Sequence, residues 1–294
     1  MNTTSKVMKP TKIKNRLPYL FTLPVTLAVL ALLIYPTIFV FYLSFHSSLA
    51  GIDNLEFVGL KNFLFMFQSP TFWITLKNTF FFTLGAVTIP FLVGLLIAYL
   101  LHVIQKGVAF FRVIFILPLA VAPVVTALTW NMILNPLYGV ANYFLKLLHI
   151  PGLQWAAHSN TALMSVILIE VWQWVPFMIL ILYAGFQMVP EEPLEAAMID
   201  GASGWQGFFY ITLPLLKSTI IIAIIFRLMD AFKSFDIIYS VTKGGPAYAT
   251  YTMVISAYQE SFPFHSLEKG AVLGIVMLVI AFIGSKQALK FLPK

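Results

Sequence analysis

The sequence has no cysteine. Disulfides and thiolate chemistry are therefore excluded, and the redox compartment is left open. Charge is scarce as well. Only 10% of the 294 residues are Asp, Glu, Lys or Arg, where soluble domains carry about a quarter. No GxxxxGK[ST] phosphate loop occurs, so the chain is not expected to hydrolyse ATP itself. HExxH and Gly-x-Ser-x-Gly are absent too, which leaves a metalloprotease or a serine hydrolase without support. Histidines at 46, 102, 149, 158 and 265 show no metal-ligand spacing. Low-complexity segments, short repeats and a separate soluble domain are all missing. The basic N-terminal stretch leads into an apolar run too long for a cleavable signal.

What fills the sequence is apolar. The chain is 60% hydrophobic with a mean hydropathy of +0.90, which describes a polytopic membrane protein. A spanning helix needs roughly 20 mostly apolar residues. About six stretches qualify: 18–45, 76–101, 110–134, 161–186, 213–235 and 270–291. Backbone facing lipid must satisfy its own hydrogen bonds, so these are expected to be helices. The prolines inside them, Pro24, Pro36, Pro90, Pro118, Pro123 and Pro176, are expected to kink helices around a pathway. The expected fold is thus an all-α integral membrane bundle at 18–291, preceded by a basic tail at 1–17.

The net charge of +7 does not point to nucleic acid, because the bases gather at membrane edges. Lys6, Lys9, Lys12, Lys14 and Arg16 precede the first span, Lys106 and Arg112 flank a short turn, and Lys286, Lys290 and Lys294 close the chain. Cytoplasmic loops concentrate Lys and Arg. Six spans then place both termini in the cytoplasm. The 46–75, 135–160 and 236–269 connections fall outside, and an acidic loop at 187–212 falls inside.

That loop is chemically unlike its neighbours. Pro190 and Pro193 bracket a helix start, with Glu191 and Glu192 placed to complement the helix dipole. A helix through Glu195 to Ile199 should end at Gly201, which tolerates positive φ. A second short helix from Trp205 leads into the next span. Ala196 and Ala197 are small enough for close approach of a partner. The ordered set Glu195, Ala196, Ala197, Asp200, Gly201, Ile211, Leu213 and Pro214 resembles the EAA coupling loop of permease subunits in binding-protein-dependent ABC importers.

Further landmarks resemble the sugar-transporting branch of that family: Asn78-Thr79, Phe111-Arg112, Leu117-Pro118, Trp130, Val171-Trp172, Pro176-Phe177, Ala184-Gly185 and Lys243-Gly244-Gly245-Pro246. The resemblance implies a multi-pass permease of a bacterial or archaeal cytoplasmic (inner) membrane. It implies a second, homologous permease, two ATP-binding subunits that hold ATP and Mg, and an extracytoplasmic sugar-binding protein. The chain itself is expected to carry no cofactor. A stand-alone secondary transporter is the alternative, yet no inverted internal repeat is visible. A non-transporting scaffold would not require polar stripes within the spans.

Such stripes are present. An ionisable group at bilayer depth costs roughly 2.5–3.5 kcal/mol on insertion scales, so it should face the bundle interior or water. Glu170, Gln173, Trp174 and Phe177 follow i, i+3, i+4, i+7 spacing in the fourth span. Arg227, Asp230, Ala231 and Ser234 repeat that spacing in the fifth. These positions match the sugar contacts of maltose-type permeases, although that pattern has no charges there, so maltose itself is not implied. The same charges also suit a structural Glu170–Arg227 pair or a snorkelling arginine. Asp236, Tyr239 and the Gly244–Pro246 turn stand at the outer mouth, where they fit either a contact with the binding protein or a simple interfacial loop.

Overall fold

The computed structural model describes residues 17–47, 55–104 and 107–290. The basic side chains at 6, 9, 12, 14, 16, 106 and 294 lie outside them. Among the described residues four helices are long and apolar enough to cross a membrane, or six if each of two bent helix pairs is one span.

The first span is α1 (Leu17–Val29), a π turn (Leu30–Ile34) and α2 (Tyr35–Ser44). A two-stranded antiparallel hairpin follows, β1 (His46–Ser47) with β2 (Glu56–Phe57), then α3 (Lys61–Gln68). Asn62 ties this region together by donating to the Ser44 and His46 carbonyls. The second span is α4 (Pro70–Ile104), six residues longer at its start than expected.

The third span departs most from expectation. The stretch 110–134 is not one helix but two, α5 (Val108–Ala120) and α6 (Pro123–Ile133), bent by 96°. Pro123 opens α6 and has no N–H to continue the ladder, and it forces Ala122 into extended backbone (ψ 138°). After α7 (Val140–Leu147) comes α8 (Ser159–Met188), which runs unbroken through Pro176.

The loop contains α9 (Glu192–Ile199) and α10 (Gly204–Gly207). A second π turn (Phe208–Thr212) and α11 (Leu213–Leu215) lead to α12 (Lys217–Phe232). Residues 204–215 meet α12 at 65°. Each π turn lies just ahead of a proline, Pro36 or Pro214. The absent proline N–H frees a carbonyl and lets the ladder widen. The chain closes with α13 (Asp236–Thr242), α14 (Met253–Ser261) and α15 (Leu267–Leu289).

The spine is the parallel pair α4 and α8. A β-carbon on Gly85 would touch Ile167, one on Gly94 would sit 2.5 Å from the Met178 β-carbon, and His102 stacks on Phe186 at 5.4 Å. Small residues permit this approach, as in membrane helix pairs generally. One core cluster joins Phe82, Val166, Ile169, Ile237 and Ile255. Another joins Ala98, Met178, Leu182, Phe186 and Leu216, nearer the acidic loop.

Candidate functional site

Two polar sites stand out, and α8 and α12 carry both. The first is the loop between them. Helix α9 ends in a Schellman motif: the Ala202 N–H donates to the Ala197 carbonyl at 2.9 Å, and the Gly201 N–H to the Met198 carbonyl at 3.1 Å. Gly201 supplies the left-handed residue, φ +89°. A β-carbon there would meet nothing within 4 Å, so glycine is required by the backbone and not by crowding.

Ser203 then starts α10 with a capping box. Its hydroxyl accepts from the Gln206 N–H, and the Gln206 side chain accepts from the Ser203 N–H. This S-x-x-Q signature is legible in the sequence as a capping box. Leu194 closes the two helices together over Gly207, where a β-carbon would approach the Leu194 side chain to 2.6 Å. The result is a compact knob. Glu195, Ala196, Asp200 and Gly201 are exposed on it, and Ala197 is half-buried. A shallow cleft of about 330 Å³ is lined by Asp200, Gly201, Gln206 and Tyr210. Ile199, Trp205 and Tyr210 are also exposed, at 86%, 75% and 79%.

The knob is wired to the spine. Tyr99 of α4 packs on Phe208 of the π turn at 4.8 Å and on Phe186 of α8 at 5.9 Å. The knob thus shares ring contacts with α4 and α8 at their ends nearest it.

The second site is the charge cluster. Arg227 is fully buried and directs three donors at three partners: Nε to the Ala86 carbonyl at 3.0 Å, Nη1 to Asp230 at 2.9 Å and Nη2 to Glu170 at 2.7 Å. Its guanidinium lies 4.6 Å from the centroid of the Trp174 ring, a cation–π contact. Ser234 donates to the second Glu170 oxygen at 3.4 Å. Asp230 is 34% exposed and reaches Lys233 at 4.0 Å.

The structure thus brings together Glu170, Trp174, Arg227, Asp230 and Ser234. Ser234 does so from a turn beyond the end of α12, not from the helical face that its spacing suggests. Gln173 is buried and donates to the Val121 carbonyl at 2.7 Å, at the bend between α5 and α6. Phe177 stands edge-on to Trp174 and packs toward the core cluster nearer the acidic loop, and Ala231 lies inside the other cluster. The Ala86 and Val121 carbonyls carry no side-chain signal, so no sequence pattern reveals them. Among the described residues no group of three or more His, Cys, Asp or Glu side chains converges to hold a metal.

The fold defines a multi-pass membrane protein. Residues 92–285 match the family model described as binding-protein-dependent transport system inner membrane component. The chain belongs to this family and is a permease subunit of an ABC importer. It is similar to the trehalose/maltose transport system permease protein MalF of Thermococcus litoralis, with 38% identity over 83% of this chain and 82% of that one. The sulfoquinovosyl glycerol permease SmoG of Agrobacterium fabrum is 34% identical over 90% and 86%. The sn-glycerol-3-phosphate permease UgpA of Escherichia coli is 32% identical over 91% and 90%. Such relatives are transport permeases and not enzymes, and they set aside the stand-alone secondary transporter. The fold is shared with a bacterial alginate ABC transporter in complex with an alginate pentasaccharide-bound periplasmic protein, at TM-score 0.82 and 21% identity over 94% and 93% of the chains.

Proposed function

We propose that this chain forms one half of the transmembrane pathway of a sugar importer, beside a second, homologous permease. An extracytoplasmic binding protein delivers the sugar at the end of the bundle away from the knob. Two ATP-binding subunits hold ATP and Mg, and one of them docks on Glu195, Ala196, Ala197, Asp200 and Gly201. The chain contributes no catalysis of its own. Both termini, with the basic tail at 1–17, lie on the knob side. The observation that carries this reading is the knob itself: a capped, rigid, solvent-facing element between two spans, packed through Phe208 and Tyr99 onto the bundle spine.

Within the bundle, we assign the pathway to the α8 and α12 stripes. Trp174 and Asp230 are partly open to the surface of the chain, and they suit a sugar's apolar ring face and its hydroxyls. The buried Glu170 and Arg227 hold them from behind, and the half-buried Ser234 stands beside Glu170. Gln173, Phe177 and Ala231 complete the lining through the bend and the core.

Glu195→Arg tests the docking assignment. It places a base where the partner supplies complementary surface. A bulky residue at Gly201 should act alike, because a left-handed backbone costs an L-residue about 1–2 kcal/mol. Both changes should uncouple ATP hydrolysis from transport while the complex still assembles. Normal uptake by an assembled Glu195→Arg complex would overturn the assignment.

A further inference from the structure

At the opposite end of the α4–α8 spine from the knob lies a cavity of about 230 Å³, lined by α3, the start of α4, the 246–251 turn, α14 and the start of α15. Phe72 forms a buried floor, and Phe65, Tyr248 and Tyr251 add three more rings. Lys269 and Glu260 face each other across 3.9 Å, and the Lys269 ammonium also stands 5.4 Å from the Phe65 ring centroid.

The lining is held rigidly. Asn78 donates to the Tyr248 carbonyl at 2.6 Å and to the Tyr251 carbonyl at 3.3 Å, while the Thr79 hydroxyl accepts from the Met253 N–H. Ala247 and Tyr248 are kept at φ +47° and +62°. Non-glycine residues persist in this region only where their surroundings over-determine them. The two tyrosine rings meet edge to face at 5.1 Å.

The chemistry narrows the occupant. An anion would meet Glu260, and a cation would meet Lys269. A purely apolar group would leave that pair without a partner on its open side. A neutral ring with hydroxyl edges and an apolar face satisfies all three features: ammonium donors, carboxylate acceptors and flat aromatic surfaces. We infer that this cavity receives one ring of a neutral saccharide before it enters the pathway. The inference rests on the reading that sugar is the cargo.

This chain has no native cysteine, so an introduced one is its single labelling site. Ser69 lines the cavity, whereas Gln68 is exposed beside it and does not. Ser69→Cys and Gln68→Cys are each built into the assembled transporter in vesicles. A membrane-impermeant maleimide is applied on the face opposite the knob, with and without maltose or trehalose. A site with a Kd of about 1 mM is roughly nine-tenths filled at about 10 mM sugar, so labelling of Ser69→Cys should slow about tenfold. Gln68→Cys should be unaffected, and Lys269→Met should abolish the protection. Where Lys269→Met does not assemble, Phe65→Leu at an exposed ring serves instead.

Unchanged labelling with both sugars overturns the inference, as does equal slowing at the two cysteines. Uptake assays on the same vesicles separate the two readings. Sugar uptake without protection sinks the cavity site alone. Protection without uptake of any sugar keeps the site and sinks the cargo reading.

Discussion

Arg227 has no exposed surface, and Glu170, Asp230, the Ala86 carbonyl and the Trp174 ring all meet its guanidinium. Its charge is met by Glu170 at 2.7 Å, which is itself 1% exposed. Removing one member of a buried pair leaves the other uncompensated and can cost about 3–5 kcal/mol. Arg227→Met should therefore lower the yield of monodisperse complex sharply, and Glu170→Gln less so, because Asp230 still pairs with Arg227 at 2.9 Å. Asp230→Asn and Trp174→Leu should leave assembly near normal and change uptake, since both residues are partly open. Size-exclusion profiles beside uptake rates check this, and normal assembly of Arg227→Met would contradict the structural half. Glu260 offers a second test at this scale. Burial pushes its carboxyl above the usual glutamate range, Lys269 pulls it part of the way back, and Glu268 adds a smaller push. The folded chain thus binds that proton more tightly than the unfolded chain. The stabilising contribution is present at acid pH, below the ordinary glutamate value, and is lost as pH rises through the raised folded value. The melting temperature of the native chain relative to Glu260→Gln should fall from acid to neutral pH, and a pH-independent difference would refute the assignment.

Among the elements, α4 and α8 set the geometry of everything else. Their parallel register needs glycine at position 94, where a β-carbon would stand 2.5 Å from that of Met178 and 3.3 Å from the Ile179 backbone. Overpacking of this kind costs about 1–3 kcal/mol. Gly94→Ala should lower the melting temperature of the purified chain. Gly284→Ala in α15, where nothing lies within 4 Å, should be neutral or mildly stabilising, because alanine is the better helix former. Equal melting temperatures for the two variants would mean that the α4–α8 contact is not tight. Helices α5 and α6 show the converse case. Their apolar content is legible as one span, but Pro123 and the extended Ala122 break it. Gln173 then anchors the bend by bonding the Val121 carbonyl, a contact between residues 52 apart in sequence.

For the whole molecule, the proposed docking knob and the proposed sugar-receiving cavity lie at opposite ends of the α4–α8 spine, which would separate energy input from cargo entry. The purified chain should show no ATPase activity until a nucleotide-binding subunit joins it, and stoichiometric, vanadate-sensitive hydrolysis by the chain alone would overturn that division of labour. Much of this architecture is written locally. Long apolar runs define the spans, and Pro190, Glu192, Gly201 and Ser203 punctuate the knob, because spanning length, capping and left-handed turns depend on residues a few positions apart. The polar stripes on α8 and α12 are equally visible as helical spacing. The charges already suit the Glu170–Arg227 pair that the structure shows, but only tertiary structure decided what else those stripes meet. Arg227 finds the Ala86 carbonyl from 141 residues away, Asn78 finds Tyr248 from 170, and Ser234 reaches Glu170 from a turn. Backbone carbonyls are chemically alike at every position. Which of them a buried side chain will reach is set by helix register and close packing, and neither leaves a mark in the order of residues.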